Sequence, residues 1–229
     1  MNFTEWNPVY EVILTDFGFE RAADEAIRDR LAEFAEPFTL DRLDVAGEPV
    51  VVAGAGPSIE ADLDGFDGSA RVFAASTAAD RCLDHGIEVD CMVTDLDKNP
   101  ETAKRLSHEG TPVVVHAHGD NRELVERWAP DLDTRNVLAT TQAAPVEAVR
   151  NFGGFTDGDR AAFLADHCGA SDLKFAGWDL DDPSVDAMKR RKLGWAERLL
   201  YWLEQRRGGR FSVLDGRREG IDSSALPVD

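Results

Sequence analysis

Six short apolar runs punctuate the chain: Pro49–Ala53, Arg71–Ala75, Cys91–Thr94, Pro112–His116, Asn136–Ala139 and Leu173–Ala176. Most are continuously apolar rather than alternating, which is how strands buried on both faces of a parallel sheet read. Between them the spacing predicts helices over Ala78–His85, Pro100–Glu109, Arg122–Ala129, Pro145–Asn151 and Asp159–Cys168. Strands and helices in alternation predict an α/β fold built on a doubly wound, mostly parallel sheet.

The ends of the chain read differently. Glu20–Glu36 places Ala23, Ile27, Leu31 and Phe34 at helical spacing and stops at Pro37. Residues 1–46 are therefore expected to form a small N-terminal helical appendage. Val185–Gln205 reads as a long C-terminal helix with Leu193, Ala196, Leu199, Leu200 and Leu203 on one face, ended by Gly208 and Gly209. Phe211–Leu214 is expected to add a last strand. The expected division is residues 1–46, a catalytic domain over 47–215, and a polar, frayed tail over 216–229.

Composition narrows the function classes. The formal net charge is −19, and lysine occurs only at 98, 104, 174, 189 and 192. Nonspecific nucleic-acid binding is excluded, because phosphates would be repelled. An acidic, lysine-poor surface suits a salt-rich cytoplasm, so a halophilic source is expected. No run of about 18 apolar residues occurs to span a membrane. Met1–Tyr10 has neither a basic leader nor an apolar stretch, so no secretory signal is expected. Cys82, Cys91 and Cys168 are odd in number and far apart, which fits a reducing cytoplasm. A homo-oligomer is compatible with the sequence.

Open parallel sheets bind ligands beyond the carboxyl ends of their strands, so the residues after each run are the candidates. Gly54-Ala55-Gly56-Pro57-Ser58 is either a plain turn or a phosphate or nucleobase turn; Ile59 and Pro57 exclude a dinucleotide fingerprint. Ser76 and Thr77 offer hydroxyls to a helix cap or a ligand. Asp95 and Asp97 flank Leu96, and in an extended segment they share a face. Two such carboxylates suit Mg²⁺, which prefers hard oxygen ligands and keeps positions open for substrate phosphates. His116, His118 and Asp120 follow the fourth run, with His118 and Asp120 read as polar groups around phosphate or metal. Thr140-Thr141-Gln142 closes the fifth. The irregular stretch Asn151–Arg160 then opens a helix; Phe152 or Phe155 can stack on a flat heterocycle, and Asp157 can read an amine or hold metal. Gly177-Trp178-Asp179 follows the sixth run. Lys189-Arg190-Arg191-Lys192 is the one dense basic cluster, suited to a triphosphate or to pairing with surface carboxylates. Together these point to phosphoryl transfer.

The segments GAGPS (Gly54–Ser58), VTDLD (Val93–Asp97), HAHGDN (His116–Asn121), TTQ (Thr140–Gln142), NFGGFTDGDRA (Asn151–Ala161) and KRRKLGWA (Lys189–Ala196) resemble, in order, the archaeal 6-hydroxymethyl-7,8-dihydropterin pyrophosphokinases of the methanopterin-pathway type. The resemblance covers roughly residues 50–200 and implies a Rossmann-like, thiamin-pyrophosphokinase-like fold. It implies transfer of a diphosphoryl group from ATP, a co-substrate, to the pterin's hydroxymethyl oxygen, with release of AMP, in tetrahydrofolate or methanopterin biosynthesis. On it, Asp95 and Asp97 take Mg²⁺ and Asp120 supports them. Gly54, Gly56, Ser58, Thr77, Lys189 and Lys192 hold the nucleotide, while Asn151, Phe155, Asp157 and His118 cradle the pterin. Lys98 stands where a glycine is common. Two other readings fit the Asp-x-Asp motif: a metal-dependent sugar-nucleotide transferase (glycosyl- or nucleotidyl-), and a nucleotide-sensing module without catalysis.

Overall fold

The computed structural model describes residues 1–228. Helices α1 (Phe3–Phe17) and α2 (Arg21–Ala32) precede the first strand. Then follow β1 (Pro49–Ala53), α3 (Ile59–Leu63), β2 (Arg71–Ala75), α4 (Ala78–Asp84), β3 (Cys91–Thr94), α5 (Pro100–Glu109), β4 (Val113–Ala117), α6 (Arg122–Trp128), β5 (Val137–Thr141), α7 (Asp157–His167), β6 (Asp172–Ala176) and α8 (Ala187–Arg207). All six strands pair in parallel, in the order β5-β4-β3-β2-β1-β6.

The apolar alternation explains the layering. Val50, Val52, Phe73, Val93 and Leu138 face one core, which they share with α1, α7 and α8. Val51, Ala53, Val72, Ala74, Met92, Val115 and Ala139 face a second core, shared with α2 and α3 to α6. The sheet is therefore doubly wound, as the runs predict. The chain steps from β1 to β5 in one direction, then returns so that β6 lies beside β1. The crevice where that order reverses is the place where ligands bind in such sheets.

Helix α1 was not visible as a helix in the reading of the apolar runs, yet its signals are in the sequence. Trp6, Val9, Tyr10, Ile13 and Leu14 recur at helical spacing and are buried, and Asn2 with Glu5 forms a capping box. Burying each such side chain contributes about 1.5–3 kcal/mol. The helix expected over Pro145–Asn151 is absent. Glu147 adopts φ 47°, Val146 and Val149 bond each other, and Arg150 folds back beside Thr140. A residue in the left-handed region cannot continue an α-helix, whatever the Ala and Val around it favour. Phe211–Leu214 adds no strand; Ser212–Leu214 is a 3-10 turn, with Phe211 and Leu214 buried. Among the described residues no helix is long and apolar enough to cross a membrane.

Candidate functional site

A cleft of about 670 Å³ opens beyond the carboxyl ends of the strands. Of the residues the sequence singles out, Gly54, Gly56, Thr77, Asp95, Asp97, His118, Asp120, Phe155, Asp157, Lys189 and Lys192 line it. Two others stand apart. Ser58 lies outside the lining, and its hydroxyl donates to Asp62 at 2.9 Å. Asn151 is buried in its own loop, donating to Ala143 O at 2.8 Å and accepting from Gly153 N at 2.9 Å. His116 is also core: its Nδ1 lies 3.0 Å from the Thr140 hydroxyl, and burial holds its pKa well below the usual value.

Asp95 and Asp97 reach the cleft by a route other than an extended strand. Strand β3 ends at Thr94, and Leu96 adopts φ 68° with its side chain fully buried. Thr94 Oγ1 accepts from Leu96 N at 2.9 Å, and Asp95 Oδ1 accepts from Asp97 N at 3.1 Å. These two side-chain turns hold Leu96 in the left-handed region, so the flanking carboxylates converge. A non-glycine residue there stores strain of order 1 kcal/mol, of the kind that clusters at functional sites.

The electrostatics separate the two carboxyls. Burial works to raise Asp95, but the hydrogen bonds of His118 and Asp97, and the charges of His118 and Arg160, outweigh it and hold Asp95 well below the usual range. His118 Nε2 lies 3.2 Å from Asp95 Oδ2, and Asn121 donates to the Asp95 main-chain oxygen at 3.0 Å. Asp97 is pushed up to about 6, first by desolvation and then by Asp95 beside it. Asp157, at the first turn of α7, is pushed up to about 7 by burial and by the charge of Asp95, against the pull of Arg160. Three mutually repelling carboxylates thus face one space.

Cations surround them. Lys189 and Lys192, one turn apart on α8, line the cleft, whereas Arg190 and Arg191 of the same run are not part of its lining and bond Val185 O and Asp16. Among the described residues Lys98, Lys189 and Lys192 have no carboxylate partner within ion-pair distance, while Lys104 pairs with Asp131. Lys189 is exposed as a residue, but desolvation of its ammonium and repulsion from Lys98 lower its pKa.

Three contributors received no role in the sequence reading, although two of them, Gln142 and Arg160, lie in segments it singled out. Arg160 is buried, donates to Asp157 at 2.9 Å and to Gln142 Oε1 at 3.3 Å, and its Nε has no partner among the described residues. Gln142 in turn donates to Asp24 at 2.7 Å. Asp24, from α2, lines the cleft although it is far away in sequence. Arg160 sits inside the unusual loop-and-helix stretch, in the first turn of α7 with Asp157 and Asp159; nothing local to Asp24 marks it.

Comparison with known proteins is consistent along most of the chain. Residues 25–184 match the family model described as 6-hydroxymethylpterin diphosphokinase MptE-like. The chain is 38% identical to the 6-hydroxymethyl-7,8-dihydropterin pyrophosphokinase of Methanothermobacter thermautotrophicus, over 90% of this chain and 96% of that protein. It is 36% identical to the protein of that name in Pyrococcus furiosus, over 94% and 99%, and 32% identical to that of Methanocaldococcus jannaschii, over 90% and 97%. Among solved structures, the MAf glycosyltransferase of Magnetospirillum magneticum AMB-1 overlaps 73% of this chain and 29% of its own, at TM-score 0.39 and 21% identity.

Proposed function

This chain belongs to the 6-hydroxymethylpterin diphosphokinase MptE-like family, and we propose that its cleft transfers a diphosphoryl group from ATP to the hydroxymethyl oxygen of 6-hydroxymethyl-7,8-dihydropterin, releasing AMP. One observation carries the assignment of residues: Asp95 and Asp97 converge at the end of β3, in the same cleft as the unpaired Lys98, Lys189 and Lys192.

The oxygen pair fits Mg²⁺. Burial first, and then the hydrogen bond and charge of Asp95, raise Asp97 to about 6, and the second cause places the two carboxyls within reach of each other. Among the described residues no three His, Cys, Asp or Glu side chains close round one point, and Mg²⁺ needs none, since it takes one or two carboxylates and completes its shell with water and substrate phosphates. Bound there, Mg²⁺ would neutralise charge developing on the phosphoryl oxygens.

The chain's own residues supply the rest. Lys98, Lys189 and Lys192 hold the polyphosphate as point charges. Asp157, with a pKa near 7, accepts the proton of the hydroxymethyl group as its oxygen bonds the β-phosphorus and the bond to the AMP oxygen breaks. Asp120 is exposed at the rim, which leaves it a supporting part. Phe155 offers an aromatic face for the pterin, and Phe17 backs it at a centroid distance of 5.0 Å. The sugar-nucleotide and sensing readings have no observation in their favour.

The test is an incubation with ATP, Mg²⁺ and 6-hydroxymethyl-7,8-dihydropterin, with nucleotide products resolved by chromatography. AMP and the pterin diphosphate are expected, and D95N and D97N should each lose at least about 100-fold in turnover. ADP as the product, or no pterin-dependent turnover, would sink the proposal.

A further inference from the structure

Most main-chain donors of the turn Gly54–Ser58 are already paired inside the protein, and among the described residues only Ala55 N of this turn is left over. Gly54 N donates to Ala176 O and Gly56 N to Gly177 O, both at 2.8 Å. Ser58 N donates to Asp179 Oδ2 at 2.9 Å, Ile59 N to Gly56 O at 3.2 Å, and Pro57 has no N–H. The glycines are small for another reason. A Cβ on Gly54 would lie 2.7 Å from Gly177 O, and one on Gly56 would lie 2.4 Å from Asp179 Oδ2. The loop after β6 fills the space beside the turn, and the Asp179 carboxylate sits against Gly56 and Ser58 N. A polyphosphate brought here would meet like charge.

What this end of the cleft offers is the other oxygen of Asp179. Oδ1 has no hydrogen-bond partner among the described residues, and Asp179 lines the cleft with Asp182 beside it on the wall. A carboxylate oxygen so placed accepts from hydroxyls or N–H groups. Trp178 lines the cleft next to Asp179 and is fixed by its neighbours. Its Nε1 donates to Val52 O at 3.0 Å, its ring stands edge-on to Phe175 at 5.3 Å, and a Cβ on Gly158 would lie 2.8 Å from it. Phe19 and Phe155 also line the cleft. The two substrates therefore divide: a flat ring belongs at the phenylalanines, and a neutral polyol belongs at Asp179, in the crevice between β1 and β6 where strand order reverses.

We infer that Asp179 reads the ribose of ATP, Oδ1 accepting from a ribose hydroxyl while Oδ2 holds the glycine turn, and that the triphosphate runs from there toward Lys98, Lys189 and Lys192. This rests on the diphosphoryl-transfer reading above, because that reading supplies ATP as a ligand.

The experiment is calorimetric titration of the full chain, with Mg²⁺, by ATP, 2′-deoxy-ATP and 3′-deoxy-ATP, and separately by the dihydropterin. The variant is Asp179→Asn, which keeps an oxygen for Ser58 N and turns a donor toward the ligand. Wild type should bind ATP about ten- to hundredfold more tightly than one of the deoxy analogues. D179N should lose that margin for ATP, bind ATP and the analogue alike, and keep its pterin affinity. Equal binding of all three nucleotides by wild type, or a D179N defect confined to the pterin, overturns the inference and leaves the transfer reading standing. No ATP binding by wild type overturns both. Should D179N fail to fold, the wild-type preference among the three nucleotides decides alone.

Discussion

The main-chain N–H of Gly119 donates to Oδ1 of Asp24 at 2.6 Å. That bond ties α2, which precedes the sheet, to the loop carrying His118 and Asp120. The other carboxylate oxygen accepts from the Tyr10 hydroxyl at 2.6 Å and from Gln142 at 2.7 Å. One buried side chain thus joins both N-terminal helices to the cleft floor, and Gln142 passes the connection on to Arg160 and Asp157. The N-terminal helices hold the site in shape.

Asp24→Ala should accordingly cost about 3 kcal/mol or more, because it strands two buried donors, Tyr10 and Gln142, together with the half-buried Gly119 N–H. Tyr10→Phe, which removes one donor together with its need, should cost about 1 kcal/mol. Urea midpoints measure both. A loss in Asp24→Ala no larger than in Tyr10→Phe would show that water takes over the site and that the network has little weight.

The sheet was legible because strands buried on two sides leave unbroken apolar runs, and all six runs became strands. The carboxylate pair was legible from its place after such a run, though not its geometry: the left-handed residue is Leu96, and nothing in a leucine announces it. The glycine turn was legible as a turn and ambiguous in purpose, since what fills it, Gly177 to Asp179, comes from the far edge of the sequence. Asp24 was invisible for the same reason. Its partners lie 14 to 118 residues away, and one acid among 44 carries no local mark.

The basic run on α8 divides into two roles that mutation can separate. Lys189→Ala and Lys192→Ala should each raise KM for ATP about tenfold with little change in the melting temperature, since both face the cleft unpaired. Arg190→Ala and Arg191→Ala, directed to Val185 O and Asp16, should leave KM within about twofold. Steady-state kinetics in ATP at saturating pterin makes the comparison. Equal effects from all four would mean that the run acts only through its summed charge.

Asp157 should leave a signature in stability against pH. Native Asp157 keeps its proton up to about 7, where the unfolded chain loses it near 3.8. Between those values the native state binds more protons, so this group makes stability fall as pH rises, by at most about 1.4 kcal/mol per pH unit. Asparagine has no such proton. Asp157→Asn should therefore gain on wild type from pH 4 to about 7 and run parallel to it above. Urea midpoints of both proteins at several pH values, with divalent metal chelated, test this; a difference that does not change with pH contradicts the assignment.

Two glycines should respond to alanine with opposite sign. Gly177 has φ 69°, and a Cβ there would lie 2.2 Å from Gly54 O and 2.7 Å from the Ile59 Cβ. Neither neighbour is the end of a flexible chain, so the β1 and β6 loops must separate, and the left-handed backbone adds its own strain. Gly177→Ala should cost about 2 kcal/mol or more, and should weaken nucleotide binding with it because Asp179 moves. Gly194 lies inside α8 with nothing within 4 Å of an added Cβ. Gly194→Ala should stabilise by about 0.5–1 kcal/mol, since alanine loses less backbone freedom in a helix and meets no obstacle. Thermal melts of the two variants beside wild type give the comparison. If Gly177→Ala melts no lower than wild type, the tight interlock of the two loops, and with it the case that their glycines exist for each other, is lost.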